Sequence, residues 1–347
     1  MEALPQARDD ALRPATISDV AARAGVGVGT VSRVLNGSPL VRQETRTQVL
    51  AVIEELDYRP SQVARRLSLG RTMTVAAVVP YFTNPSFVER LRGIMDGLSE
   101  SDYEFTLLSV QTEQQRDEHL DALARGGRAD GVIILSLPLA DLETKRFLRA
   151  DVPVVMVDVA NPAFPSVVID NVAGGRLATE HLLALGHRRI GFVGDPEVNL
   201  FGFMASADRR RGYVDALTAA SIEPESALVR LGAHGRDVAH RLTDELLSLD
   251  DSPTAIFAAT DTQALGVLEA AGLAGLRVPE DLSVVGFDDI EVAPYIGLTT
   301  IRQPLEASGR AGAELILRAL AGEPTPPLAE ILDLELVVRR TTAKPRR

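Results

Sequence analysis

Residues 16–36 read TISDVAARAGVGVGTVSRVLN. Ile17, Val20, Ala21 and Ala24 recur at i, i+3, i+4 and i+7, which gathers them on one face of a helix. Thr16 precedes that helix as a candidate N-cap, and Asp19, three residues on, puts a carboxylate at its positive end. Gly25-Val26-Gly27 breaks the pattern. Val31, Val34 and Leu35 then give a second helix an apolar stripe to lay against the first. The opposite face carries Val28, Gly29, Thr30, Ser32 and Arg33, which are small side chains, two hydroxyls and one guanidinium. Two short helices around a glycine turn, with that face left free, predict a helix-turn-helix whose second helix enters the major groove of duplex DNA.

Working outward, Val49, Val52, Ile53 and Leu56 share one face of a third helix expected over Gln43 to Leu56, which completes a three-helix core. Tyr58 and Pro60 end it, since the residue before proline is pushed out of helical geometry. Residues 1–15, with Pro5, Pro14 and no period, read as a disordered arm. Ser61-Gln62-Val63-Ala64-Arg65-Arg66-Leu67 is a Ser-capped segment too short to hold a helix alone, so it folds only when something holds it.

At 347 residues the chain is long for one domain and suits a small head plus a larger two-lobed body. Hydrophobic residues make up 46%, aromatics 4%, and there is no Trp, which predicts an aliphatic α/β interior. With no Cys there are no disulfides, thiolate metal sites or thiol nucleophiles, and the five His lack metal-ligand spacing, so neither metal nor cofactor is expected. The net charge of -12 divides unevenly. Residues 1–71 hold ten Arg against eight Asp and Glu, a net of +2, leaving -14 for the remainder. A basic head can grip phosphates while an acidic body discourages non-specific adhesion. The start, MEALPQARDDALRP, has no basic segment before an apolar run, and no stretch is long enough to span a bilayer, so a soluble cytoplasmic protein without membrane contact is expected.

From Thr72 onward, apolar runs alternate with helical segments. The runs are VAAVV (75–79), FTLLSV (105–110), GVIIL (131–135), VPVVMVD (152–158), RIGFVGD (189–195), LVRLG (228–232), AIFAATD (255–261) and LSVVGFDD (282–289). Continuous apolar strands separated by helices predict parallel sheets covered on both faces. Two such α/β lobes bind small ligands in the crevice at the carboxyl ends of their strands. Asp158, Asp261 and Asp288 each end a strand there. Carboxylates and a guanidinium facing one cleft can hydrogen-bond the adjacent hydroxyls of a sugar. Asp158 is as readily placed to cap the next helix, Asp261 could do the same, and Asp289 is read as such a cap.

The run TI-x-DVA-x-x-AGV followed by TVSRVLN resembles the DNA-binding domain of the lactose-repressor (LacI) family, and the likeness extends through almost the whole chain. The resemblance implies an all-α helix-turn-helix domain at 16–60, a hinge helix and linker at 61–71, and a periplasmic-binding-protein-like effector domain at 72–340. Lobe one would take about 72–170 and 303–332, lobe two about 171–302 and 333–340, with lobe hinges near Asp170 and Ile301–Pro304; the basic tail at 341–347 reads as disordered. DNA contacts would fall to Thr16, Val28, Gly29, Thr30, Ser32, Arg33 and Asn36, and in the hinge to Ala64, Arg65 and Leu67. Leu67 matches the family's minor-groove wedge, an apolar side chain that kinks the duplex. Glycine at 29 makes no side-chain base contact, which leaves Val28 for a thymine methyl and Arg33 for a guanine.

Arg209 (in R-x-x-GY), Thr260, Asp261 and Asp288 match the family's effector pocket, to which Asp158, Phe87 and His234 are added. Thr260 stands where the family usually has Asn, and His234 where an aromatic is common. The implied partners are operator DNA, bound as a homodimer on a pseudo-palindrome, and a small-molecule effector, a sugar or, if Phe87 and His234 stack on a flat ring, a purine or nucleoside. The protein is then a ligand-responsive transcriptional regulator of the repressor type. The G-x-G-x-G of Gly25–Gly29 follows a helix and lacks the spacing of a nucleotide loop, and no G-x-S-x-G, H-E-x-x-H or Walker motif occurs, so no catalysis is expected. A sugar-binding transport protein would share 72–340 but has no use for Thr16–Leu67.

Overall fold

The computed structural model describes residues 15–35, 37–59 and 70–346. The chain divides between Thr72 and Met73 into a head and a body.

In the head, α1 (Ile17–Arg23), α2 (Val28–Leu35) and α3 (Gln43–Glu55) close on Val20, Ala21, Ala24, Val31, Val34, Val49, Val52 and Tyr58. The expected cap at Thr16 is a full capping box. Its backbone N–H and Oγ1 both donate to Asp19 Oδ2 at 2.8 Å, and Asp19 N–H returns to Thr16 Oγ1. Gly25 turns the chain at φ +63°, where a side chain would be strained. Helix α2 starts without a side-chain cap, the Gly27 carbonyl accepting from Thr30 and Val31 N–H. Asn36 and the whole segment 60–69, which holds the expected hinge with Ala64, Arg65 and Leu67, lie outside the described residues.

The body begins with β1 (Thr74–Pro80), α4 (Pro85–Leu98), β2 (Glu104–Val110), α5 (Glu113–Ala124), β3 (Gly131–Leu135), α6 (Asp141–Ala150), β4 (Val154–Val157) and β5 (Ser166–Ile169). It continues through α7 (Asn171–Leu185), β6 (Ile190–Gly194), α8 (Ala205–Ala219), β7 (Val229–Leu231), α9 (Arg236–Leu247), β8 (Ala255–Ala258), α10 (Asp261–Leu273) and β9 (Ser283–Asp288). The last elements are α11 (Ala293–Ile296), β10 (Thr299–Arg302), α12 (Leu305–Leu320), β11 (Ala329–Leu332) and β12 (Glu335–Val337). The first sheet runs β11-β5-β4-β3-β1-β2 with every pairing parallel. The second runs β12-β10-β9-β8-β6-β7, parallel except where β12 meets β10. Strands β1 and β3 are buried at every residue, as continuous apolar runs require when helices cover both faces.

Three connections pass between the lobes, at Asp170, at Gln303–Pro304 and at Asp333–Leu334. They join strands β5 and β11 at one edge of the first sheet to the β10–β12 edge of the second, so β1 and β6 lie toward the side remote from the crossovers. The apolar-run criterion predicts none of β5, β10, β11 or β12, each only three or four residues long.

Among the described residues of the tail, 341–346, the expected disorder is not found. Thr341 bonds both backbone groups of Val284, its carbonyl accepting from Val284 N–H and its Oγ1 donating to Val284 O, each at 2.7 Å, and Oγ1 accepts from Thr299 N–H. The buried His187 imidazole reaches the Ala343 carbonyl through Nε2 at 2.8 Å. Backbone edges of lobe two need these partners, which overrides the polar composition of the tail.

Candidate functional site

In the head, Val28 is 44% exposed at the start of α2. Gly29 and Arg33 are exposed beside it, with Thr30 and Ser32 half-buried, while Val31 and Val34 turn inward. The free face expected of the second helix is therefore present. Thr16 spends its hydroxyl and its N–H on the α1 capping box.

In the body, the cleft-facing groups sit where strands end and backbone strain collects. Tyr81 follows β1 at φ +41°, Ser136 follows β3 at +54°, Asp158 follows β4 at +69°, and Asp288 ends β9 at +121°. Such conformations cost about 1–3 kcal/mol each and persist where the surroundings impose them, commonly at binding sites.

Arg209 projects from α8, which approaches α7 so closely that a Cβ on Gly175 would strike the Arg209 carbonyl and one on Gly212 the Val172 carbonyl. Its guanidinium lies 3.6 Å from the centroid of the Phe287 ring. Nε donates to Asn171 Oδ1 at 2.8 Å and Nη1 to the Ala259 carbonyl at 2.7 Å. Nη1 also stands 3.4 Å from Asp288 Oδ1. Burial works against the charged form of both partners, lowering the Arg209 pKa and raising that of Asp288, and each charge opposes the other's shift.

The Asp288 carboxylate leads on across the lobes. Gln303, in a crossover, donates to its Oδ1 through Nε2 at 2.5 Å and accepts at Oε1 from Arg90 Nη2 at 2.9 Å. Arg90, on α4 and 3% exposed, also donates to Asp158 Oδ1 at 2.6 Å, and Ser136 Oγ donates to Asp158 Oδ2 at 2.6 Å. Two carboxylate–guanidinium pairs, one per lobe, are thus joined through one amide. Neither Arg90 nor Gln303 stood out in the sequence. A lone Arg in an amphipathic helix reads as a solvated side chain, and only the fold turns it inward.

A second polar group lies at the ends of β6, β7 and β8. Asp195 Oδ1 accepts from Gln263 Nε2 at 2.9 Å and faces His234 Nδ1 at 3.2 Å. Burial alone would lower the His234 pKa; the Asp195 carboxylate, with help from Asp288, outweighs it and lifts the imidazole above its ordinary value.

Several expected site residues are placed elsewhere. Asp261 is fully buried, accepting from Thr300 Oγ1 at 2.5 Å and Ile290 N–H at 3.0 Å. Burial, then Asp288, pushes its pKa well up, so it ties α10 to β10 and does not open onto the cleft. The cap of α10 is Thr260, whose Oγ1 accepts from Gln263 N–H at 3.2 Å. Phe87 is 8% exposed within the apolar core between the first sheet and α4. Asp158 caps no helix, because the chain after it turns directly into β5. Asp289 is no cap either: Arg302 Nε lies 2.8 Å from Oδ2 and Arg339 Nη1 2.7 Å from Oδ1, while α11 starts only at Ala293. The Asp158, Arg209, Asp288 group is therefore gathered by the fold, with His234 beside a separate carboxylate and Phe87 and Asp261 inside packed cores.

With this geometry established, comparison with known proteins finds two family models. Residues 16–61 match "Bacterial regulatory proteins, lacI family", and residues 179–342 match "Periplasmic binding protein-like domain". The chain is 38% identical to the HTH-type transcriptional regulator CelR of Thermobifida fusca over 95% of its own length and 98% of that protein's. It is 35% identical to the HTH-type transcriptional repressor PurR of Vibrio vulnificus, covering 95% of this chain and 99% of the other. Among solved structures it resembles a Lac repressor dimer bound to operator and the anti-inducer ONPF, with TM-score 0.82 and 30% identity over 95% and 100% of the chains. It also resembles a CelR–cellobiose complex, with TM-score 0.69 and 36% identity over 94% and 99%. These relatives are transcriptional regulators and not enzymes.

Proposed function

Because this chain belongs to the lacI family of bacterial regulatory proteins and is a DNA-binding transcriptional regulator, we propose that its effector is a neutral sugar held between the two body lobes. The observation that carries this is the pairing of Arg209 with Asp288 and of Arg90 with Asp158 at the strand ends. Each buried guanidinium already faces a carboxylate, so an anionic ligand such as a sugar phosphate meets like charge. A sugar hydroxyl can donate to the carboxylate and accept from the guanidinium of one pair. Cellobiose, the ligand in the CelR complex, is the first candidate. Phe87 lies in a packed core, which removes one of the two rings on which a purine would stack.

On the DNA side, the protein acts as a cytoplasmic homodimer on a pseudo-palindromic operator, with Val28 and Arg33 reading bases and Leu67 in the hinge. Among the described residues no helix is long and apolar enough to cross a membrane. Effector binding shifts the protein between two arrangements of its lobes, by no more than the difference in its affinity for them.

The effector test is thermal unfolding of the full chain with cellobiose, glucose, ribose, glucose 6-phosphate and guanine. A ligand at a hundred times its dissociation constant adds about 2.7 kcal/mol. Stabilisation by a neutral sugar that Asp288→Asn abolishes is expected. Stabilisation by guanine or the sugar phosphate alone overturns the assignment.

A further inference from the structure

The connection from β6 to α8, residues 195–204, leaves lobe two and packs into lobe one. Phe201 is 5% exposed and belongs to the lobe-one core that includes Leu137 and Phe164. Phe203 and Tyr81 pack on the same core. The three rings form one cluster, with centroids 5.5 Å apart for Tyr81–Phe201, 6.5 Å for Tyr81–Phe203 and 5.7 Å for Phe201–Phe203. Aromatic pairs in this range attract beyond the apolar area they bury.

The loop is braced internally. Asn199 Nδ2 donates to the Phe203 carbonyl and Phe203 N–H donates to Asn199 Oδ1, both at 2.8 Å. Gly202 turns it at φ +71°, against Pro138 from the loop after β3. The ring and Pro138 contacts come from the residues that follow β1, β3 and β6. Strands β1 and β6 lie away from the crossovers, so the contact spans the mouth of the cleft opposite its hinges. The loop also exposes apolar side chains, with Val198 90%, Leu200 48% and Met204 58% exposed.

We propose that residues 196–204 are a lid, latched onto lobe one by Phe201, that restricts the effector to a ligand enclosed whole: a mono- or disaccharide and not a longer oligosaccharide. The size limit rests on the sugar reading above; the latch does not. A chain of several sugar rings leaving the cleft at this side has to displace a buried ring, and that steric cost selects against length.

The test titrates full-length protein with cellobiose and with cellopentaose. It compares the natural chain with one in which residues 198–203 are replaced by two glycines. The natural chain is expected to bind cellobiose more than about tenfold tighter than cellopentaose, and the shortened loop to bring the two within about threefold. Cellopentaose binding the natural chain as tightly as cellobiose overturns the size limit. If neither sugar binds, the sugar reading fails, and the latch is judged without ligand by the double-mutant cycle of Tyr81→Ala and Phe201→Leu in thermal unfolding. Non-additive losses are expected for rings in contact, and strictly additive ones remove the latch.

Discussion

Asp195 receives two donors on one carboxylate oxygen, the Gln263 amide and the His234 imidazole. Because the carboxylate outweighs burial and raises the His234 pKa, the folded protein holds that proton more tightly than the unfolded chain does. Its contribution to stability is therefore fully present below the unfolded pKa of about 6.5 and is lost as pH rises through the higher folded value. The stability difference between the natural chain and His234→Gln, from urea unfolding at pH 5.5 and pH 8.5, is expected to be larger at the lower pH. The side chain is 32% exposed, so the effect is modest, and a difference independent of pH would remove the ion pair. The same residues show what a sequence can and cannot say at this scale. Arg209 and Asp288 were legible because each sits in a motif at a strand or helix end. Asp261 ends a run of the same appearance, yet it is sealed behind Thr300 and Ile290, because strand-end position does not record which way the side chain turns. Arg90 and Gln303 had no such marker. Their role depends on residues 213 positions apart in the chain meeting across a crossover.

Elements with a long period were legible in the sequence, and those stabilised by partners were not. The three head helices and the strands VAAVV and GVIIL announce themselves because every residue of each strand, or one full face of each helix, is apolar and buried. Strand β11 is exposed at three of its four residues and exists because β5 offers it a parallel ladder. The C-terminal segment behaves likewise. Its sequence is polar and basic, but the Thr341 hydroxyl satisfies Val284 and Thr299 and is 5% exposed. Replacing that hydroxyl by a methyl in Thr341→Val strips a buried N–H and a buried carbonyl of partners at nearly constant volume. A loss of about 1–3 kcal/mol is expected in urea unfolding. No change would mean that the segment is free in solution.

At the scale of the whole molecule, the net charge of -12 conceals a head and linker of net +2 on a remainder of -14. An acidic body under a head of only +2 is expected to bind non-operator DNA weakly, so the specific complex must draw on contacts that a random duplex does not reward. Direct readout from α2 is thin. Gly29 offers no side chain, so the proposed base readers are Val28 and Arg33, beside two hydroxyls. On the proposed reading the remaining discrimination falls to DNA deformation, with Leu67 assigned as the apolar side chain that wedges a base step open and Arg65 and Arg66 as its phosphate contacts. Leu67→Ala is accordingly expected to weaken operator binding by more than about tenfold, the loss of a wedge worth a few kcal/mol. Binding to non-operator DNA, which does not depend on a kinked step, is expected to change far less, and its salt dependence to stay the same because no cation is removed. Thermal unfolding of the body reads whether the substitution has acted on folding instead. Equal operator affinity in the two proteins, measured at one salt concentration, would show that the segment from Ser61 to Leu67 is a linker and that specificity rests on α2 alone.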